Sequence, residues 1–64
     1  MLGDFLRKYR EKNNLTQEQM AFKVGTSQAY YSQIESGITL PGFTMVKRIA
    51  KALEVEESFI RSLM

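Results

Sequence analysis

Sixty-four residues carry nine Lys plus Arg against seven Asp plus Glu, a formal net charge of +2, with no His and no Cys. So short a chain makes one domain that buries only about 60% of its unfolded surface. The missing Cys and His exclude disulfides, thiolate or zincin metal centres and nucleophile-base pairs, so no catalytic, cofactor-binding or metal-ligating residue is expected.

Leu2, Phe5, Leu6 and Tyr9 follow the i, i+3, i+4, i+7 spacing of one apolar helical face, with Asp4, Arg7, Lys8 and Glu11 elsewhere. This first helix is expected to end near Asn13-Asn14, because Asn tolerates the left-handed conformation that closes helices. Thr16 as N-cap and Gln19 three residues on make a capping box, and Leu15 is placed to staple against Met20. The second helix turns Met20, Ala21 and Val24 inward and stops at Gly25. After a short turn, Ser27 caps a third helix that runs through Tyr31 and Ile34 to Ser36, with Gly37 as its terminator. Ile38 to Gly42 reads as a loop, since the residue before Pro41 is biased away from helix. Phe43, Val46, Ile49, Ala50 and Leu53 predict the inward face of a fourth helix, with Lys47, Arg48 and Lys51 outward and Gly42 as a weak cap. Phe22 and Met45 fall off the inward faces, and Glu54 stands where a helix-terminating Gly is common. A last helix beginning within Glu56 to Ser58 carries Phe59, Ile60 and Leu63 and is expected to close the core. The expected fold is all-α, a compact five-helix bundle forming one domain over residues 1–64.

The longest apolar runs, Met20-Ala21-Phe22 and Ala29-Tyr30-Tyr31, are three residues, against the ~18 of a membrane span. The N-terminus lacks the basic and apolar regions of a secretory signal. Both point to a cytoplasmic setting.

The third helix carries the functional signal. At ~100° per residue, Gln28, Ser32, Ala29 and Gln33 share a sector of roughly 140°, opposite Tyr30, Ile34 and Tyr31. A merely solvated helix favours Lys and Glu outward, whereas this face is small and uncharged. A Gln amide matches the N7 and N6 edge of adenine in the major groove, and small neighbours leave room for thymine methyls. Two Gln alone are ordinary polar filler; their organisation within two capped helices gives them meaning.

Leu15-Thr16-Gln17-Glu18-Gln19-Met20-Ala21, Val24-Gly25, Ser27, Ser32-Gln33-Ile34-Glu35-Ser36-Gly37, Pro41 and Ile49-Ala50-Lys51-Ala52-Leu53 resemble the Cro/CI-type (Xre) helix-turn-helix family over nearly the whole chain. The resemblance implies a lambda-repressor-like DNA-binding domain whose helix-turn-helix spans about residues 16–36, with helix three in the major groove. It implies that Gln28, Ala29, Ser32 and Gln33 face base edges. Gln17, Ser27, Tyr30 and Thr39 are the expected contacts to the DNA backbone, with Tyr30 able instead to pack over the core edge. The pair Arg10 and Glu35 is expected as a partly buried bridge from helix one to the end of helix three.

The implied function is sequence-specific binding of double-stranded operator DNA by a transcriptional regulator, a repressor in particular, as a weak homodimer on DNA. The family's dimer contacts lie near the turn before helix five, where this chain has Glu54, Glu56 and Glu57, like charges that oppose a tight symmetric interface. Between Asn13 and Val46 the only charges are Glu18, Lys23 and Glu35, and the starts of helices two and three, with Gln17, Gln28 and their backbone amides, are able to hold phosphates without Lys or Arg. In the loop Ile38-Thr39-Leu40 only Thr39 is polar, and the backbone amides of Gly37 to Thr39 are expected to be free to donate to a phosphate there. The competing reading is a protein-interaction module, for example an antitoxin-like partner binder, that uses Phe22, Met45 and the acidic tail. A membrane-surface role for the basic fourth helix is discounted because its apolar face is needed for the core. The pattern also suits the N-terminal domain of a longer chain.

Overall fold

A computed structural model describes all 64 residues as five helices: α1 (Leu2–Lys12), α2 (Gln17–Val24), α3 (Gln28–Ser36), α4 (Phe43–Leu53) and α5 (Glu57–Ser62). None is long and apolar enough to cross a membrane. The helix ends follow local chemistry. Thr16 Oγ1 accepts from the Gln19 amide at 3.1 Å while Gln19 Oε1 accepts from the Thr16 amide at 2.8 Å, so both halves of the capping box form. Ser27 Oγ accepts from the Tyr30 amide at 3.2 Å and opens α3. Gly25 (φ 80) and Gly37 (φ 83) close α2 and α3 in the left-handed region, where an L side chain would be strained. Asn14 (φ 56) takes the same conformation after α1.

Glu54 also adopts it, with φ 57 and ψ 45. The helix end therefore keeps the geometry expected of a glycine and places a β-carbon in it, at a steric cost. Its amide still bonds the Ala50 and Lys51 carbonyls, which caps α4 as a glycine would.

Thirteen buried side chains from all five helices form one core, with Leu6, Met20, Tyr31, Ile49 and Ile60 fully enclosed. Helix α3 packs on both α1 and α2, α2 also meets α4, and α4 meets α5. Phe5 and Phe59 add an edge-to-face contact between α1 and α5, ring centroids 5.3 Å apart. Gly3 is buried where α1 crosses the end of α3: a Cβ there would overlap the Glu35 carbonyl oxygen and lie 2.9 Å from its carbon.

Two expectations on α4 are corrected. Phe43, assigned inward, is 68% exposed, and Met45, assigned outward, is 8% exposed and part of the core. On the wheel these residues flank the apolar sector about equally, roughly 70–90° to either side. Position along the axis decides between them. Side chains lean toward the helix N-terminus, so Phe43, the first residue of α4, reaches past the start of the helix. Met45, two residues further in, bends its flexible thioether over the core edge. Phe43 instead lies under two cations, with Lys47 Nζ 4.9 Å and the Arg61 guanidinium 5.7 Å from its ring centroid.

Candidate nucleic-acid interface

Helices α2 and α3 form one unit through the turn Gly25-Thr26-Ser27, held by the Thr26 amide on the Ala21 carbonyl at 2.9 Å. Burial of Tyr31 and Ile34 seats α3, leaving Gln28, Ala29 and Gln33 exposed and Ser32 half-buried along one outward face. That face carries two carboxamides, a hydroxyl and a methyl, and no charge. The amides of Gln17 and Glu18 at the start of α2, and of Gln28 and Ala29 at the start of α3, have no partner within the chain. They remain free to donate to an anion, with the partial positive charge of each helix N-terminus behind them.

The residues assigned to a phosphate backbone fall in different settings. Ser27 is exposed, and its Oγ accepts the Tyr30 amide, which leaves its hydroxyl hydrogen available. Tyr30 is half-buried and packs against the core. Gln17 is half-buried, and its Nε2 donates to Glu35 Oε1 at 3.2 Å, so one of its two N–H groups is already engaged. Thr39 is half-buried in the loop after α3. The expectation that the amides of Gly37 to Thr39 are free for a phosphate is overturned. Gly37 donates to Ile34 and Gln33, and Ile38 and Thr39 donate to the Gln33 carbonyl at 3.0 and 3.3 Å, because the end of α3 needs these donors for its own carbonyls. Thr39 has only its hydroxyl to offer.

Arg10 and Glu35 form a two-pronged pair, Nε to Oε2 at 3.0 Å and Nη2 to Oε1 at 2.9 Å, with side chains 16% and 6% exposed. Arg10 Nη1 also donates to the Leu15 carbonyl at 3.1 Å, which ties α1 to the entry of α2. The carboxylate accepts two further bonds, from Gln17 and, at 2.5 Å, from the Tyr31 hydroxyl. Burial alone pushes Glu35 upward, but the hydrogen bonds from Arg10, Tyr31 and Gln17 outweigh it and hold the carboxyl below its ordinary range. Burial, then the bond to Glu35, raises the Tyr31 phenol above its ordinary value. No buried side-chain polar atom is left without a partner.

The Tyr31 hydroxyl is the part of this cluster that the pattern of the sequence does not announce, since its spacing marks it simply as inward. Its only signal is chemical: a buried Tyr, unlike a Phe, needs a partner for its hydroxyl. Arg48 is a second such case, its Nη1 donating to the Gly25 carbonyl at 3.0 Å and closing α4 onto the end of α2. Lys23, Arg48 and Lys51 line a shallow depression there, beside the C-terminal rather than the N-terminal end of α2. Nowhere do three or more His, Cys, Asp or Glu side chains converge as a metal site would require.

A family model described as helix-turn-helix matches residues 6–60. Among curated proteins, an uncharacterized HTH-type transcriptional regulator of Mycobacterium tuberculosis, present in two strains, is 40% identical over 53 residues, or 83% of this chain. SlrR, an HTH-type transcriptional regulator of Bacillus subtilis, is 37% identical over 57 residues, or 88% of this chain. The chain spans 38% of the length of each of these relatives. No solved structure matches the chain significantly. With its two capped helices, its glycine-closed turn and a matching family model over most of its length, the chain belongs to the helix-turn-helix family, of the Cro/CI (Xre) type.

Proposed function

We propose that this domain binds double-stranded DNA sequence-specifically, lays α3 in the major groove, and serves a transcriptional regulator that acts as a repressor by occupying its operator. The observation that carries this reading is the outward face of α3, uncharged and seated by buried Tyr31 and Ile34, with four free amides at the two helix starts beside it. Gln28 and Gln33 read adenine edges, and Ala29 and Ser32 leave space for thymine methyls. The amides at the start of α2, together with Gln17 and Ser27, hold phosphates. Tyr30 and Thr39 contribute hydroxyls at the margin.

Two copies bind one operator. Of the three acidic residues near the turn before α5, Glu57 at the start of α5 is paired with Arg61 of its own helix at 3.0 Å, which leaves Glu54 and Glu56 as the unpaired charges opposing a symmetric contact. The partner-binding alternative loses its apolar patch, since Met45 is buried and leaves Phe22, 86% exposed, with only the acidic tail that reading also invoked.

Selection on a pool of randomised duplexes at low and moderate salt tests the proposal. Enrichment of a palindrome with half-sites about one helical turn apart is expected. Gln28→Ala and Gln33→Ala should each cost roughly 1–3 kcal/mol at one base pair with little change in non-specific binding. Equal losses on every sequence, or no enrichment by the folded protein, would sink the reading.

A further inference from the structure

We infer that Tyr31 is a positioning residue for the DNA contact: its hydroxyl locks the Glu35 carboxylate and, through it, the amide of Gln17 at the start of α2. The inference rests on the DNA-binding reading for its consequence and on the polar cluster for its geometry. The two carboxylate oxygens divide the work. Oε2 accepts Arg10 Nε at 3.0 Å and the Tyr31 hydroxyl at 2.5 Å; Oε1 accepts Arg10 Nη2 at 2.9 Å and Gln17 Nε2 at 3.2 Å.

Arg10 lies toward the end of α1, Tyr31 one turn before Glu35 on α3, and Gln17 at the first position of α2. The Tyr31 ring is fully enclosed in the core, so its hydroxyl is a fixed point. Arg10 is the less enclosed member, at 16% exposure, on a long side chain. The short bond from the fixed phenol therefore sets the rotation of the carboxylate. That rotation decides where Oε1 receives Gln17. With one N–H held inward, the Gln17 amide has its other N–H and its oxygen in a defined orientation, beside the free amides of Gln17 and Glu18. Ordering the side chain before DNA arrives removes a cost that a freely rotating Gln meets on binding.

A purely structural Tyr31 would contribute to stability and leave Gln17 independent of it, so the test reads the link itself. Tyr31→Phe, Gln17→Ala and the double variant are compared with the unmodified protein on the duplex obtained by selection, with folding confirmed by the backbone amide spectrum. Each single variant should bind about tenfold more weakly, and the double should add less than about twofold to either. In Tyr31→Phe, the Gln17 side-chain NH2 signals should shift and exchange faster with water. In the unmodified protein, Tyr31 should show a slowly exchanging hydroxyl proton, a measurement that stands even where the variant fails to fold. Additive losses, unmoved Gln17 signals or a rapidly exchanging Tyr31 hydroxyl each overturn the inference. If the unmodified protein selects no duplex, the DNA reading fails and with it the consequence for binding, while the Gln17 signals still decide whether Tyr31 holds that side chain.

Discussion

Arg10→Met separates a buried ion pair from two surface charges. The substitution keeps an unbranched side chain of comparable reach but leaves Glu35, 6% exposed, without its cation. Removing one partner of a buried pair costs about 3–5 kcal/mol. Loss of the bond to the Leu15 carbonyl adds about 0.5–1.5 kcal/mol. For a chain of 64 residues, total stability is on the order of 3–10 kcal/mol, so the variant should be near the edge of folding at neutral pH.

The pH dependence gives the sharper test, because its sign reverses. In the unmodified protein the folded Glu35 carboxyl titrates below its unfolded value, so its stabilisation is present above the ordinary Glu range and is lost as pH falls through the folded value. Without Arg10, burial is opposed only by Tyr31 and Gln17, and the folded carboxyl should titrate above the unfolded one. That raised group favours the folded state increasingly as pH falls, so the variant's deficit should shrink between pH 7 and pH 4 by about 2 kcal/mol or more. The lost Leu15 bond does not titrate and remains as a constant offset. Urea unfolding of both proteins across that range measures the difference directly. A deficit below about 1 kcal/mol at pH 7, or one that is flat with pH, would refute the reasoning.

Two backbone positions give further tests. Gly3→Ala should destabilise by about 1–2 kcal/mol in denaturant melts, although Ala is the better helix former, because the new methyl meets the backbone of Glu35 rather than a yielding side chain. Glu54→Gly should raise stability by about 0.5–1 kcal/mol, the relief of a left-handed L residue less the unfolded-state entropy of Gly, read as an upward shift in melting temperature.

The helix boundaries were legible because their causes are local. Thr16 and Gln19, Ser27, Gly25 and Gly37 each act on neighbours within a few residues, so the capping pattern can be read without knowing the fold. The outward face of α3 is legible for a similar reason: a period near 3.6 places Gln28, Ala29, Ser32 and Gln33 together whatever packs behind them. Reading fails where position in three dimensions decides. Phe43 and Met45 are nearly equivalent on a wheel, and only their distance from the helix start separates them. Gly3 resembles a chance residue in an amphipathic helix until α3 crosses it. The Gly37 to Thr39 amides look available until the carbonyls at the end of α3 claim them. Tyr31 reads as an apolar anchor, and its second role depends on a carboxylate one turn away that is held in place by Arg10 from another helix.

The polar cluster answers a question that the apolar core leaves open. Burial of Tyr31 and Ile34 fixes how deeply α3 sits, but apolar contacts tolerate small rotations and slides, whereas bonds to a carboxylate are directional. Glu35 joins α3 to α1 through Arg10 and to α2 through Gln17, so the angle between the two helices of the motif is tied to one group. Arg10→Met, Tyr31→Phe and Glu35→Leu combined remove the cluster without orphaning a buried charge or phenol. Such a replacement is often neutral or stabilising for a fold, and the triple variant should lie within about 2 kcal/mol of the unmodified protein. If the cluster sets the angle, discrimination should suffer where stability does not: beyond the loss common to every duplex that follows from freeing Gln17, the ratio of affinities for the selected duplex and a scrambled one should fall about tenfold, or 1.4 kcal/mol. A stable triple variant that keeps the full ratio would show that apolar packing alone aligns α3, and that the carboxylate serves stability without a part in reading DNA.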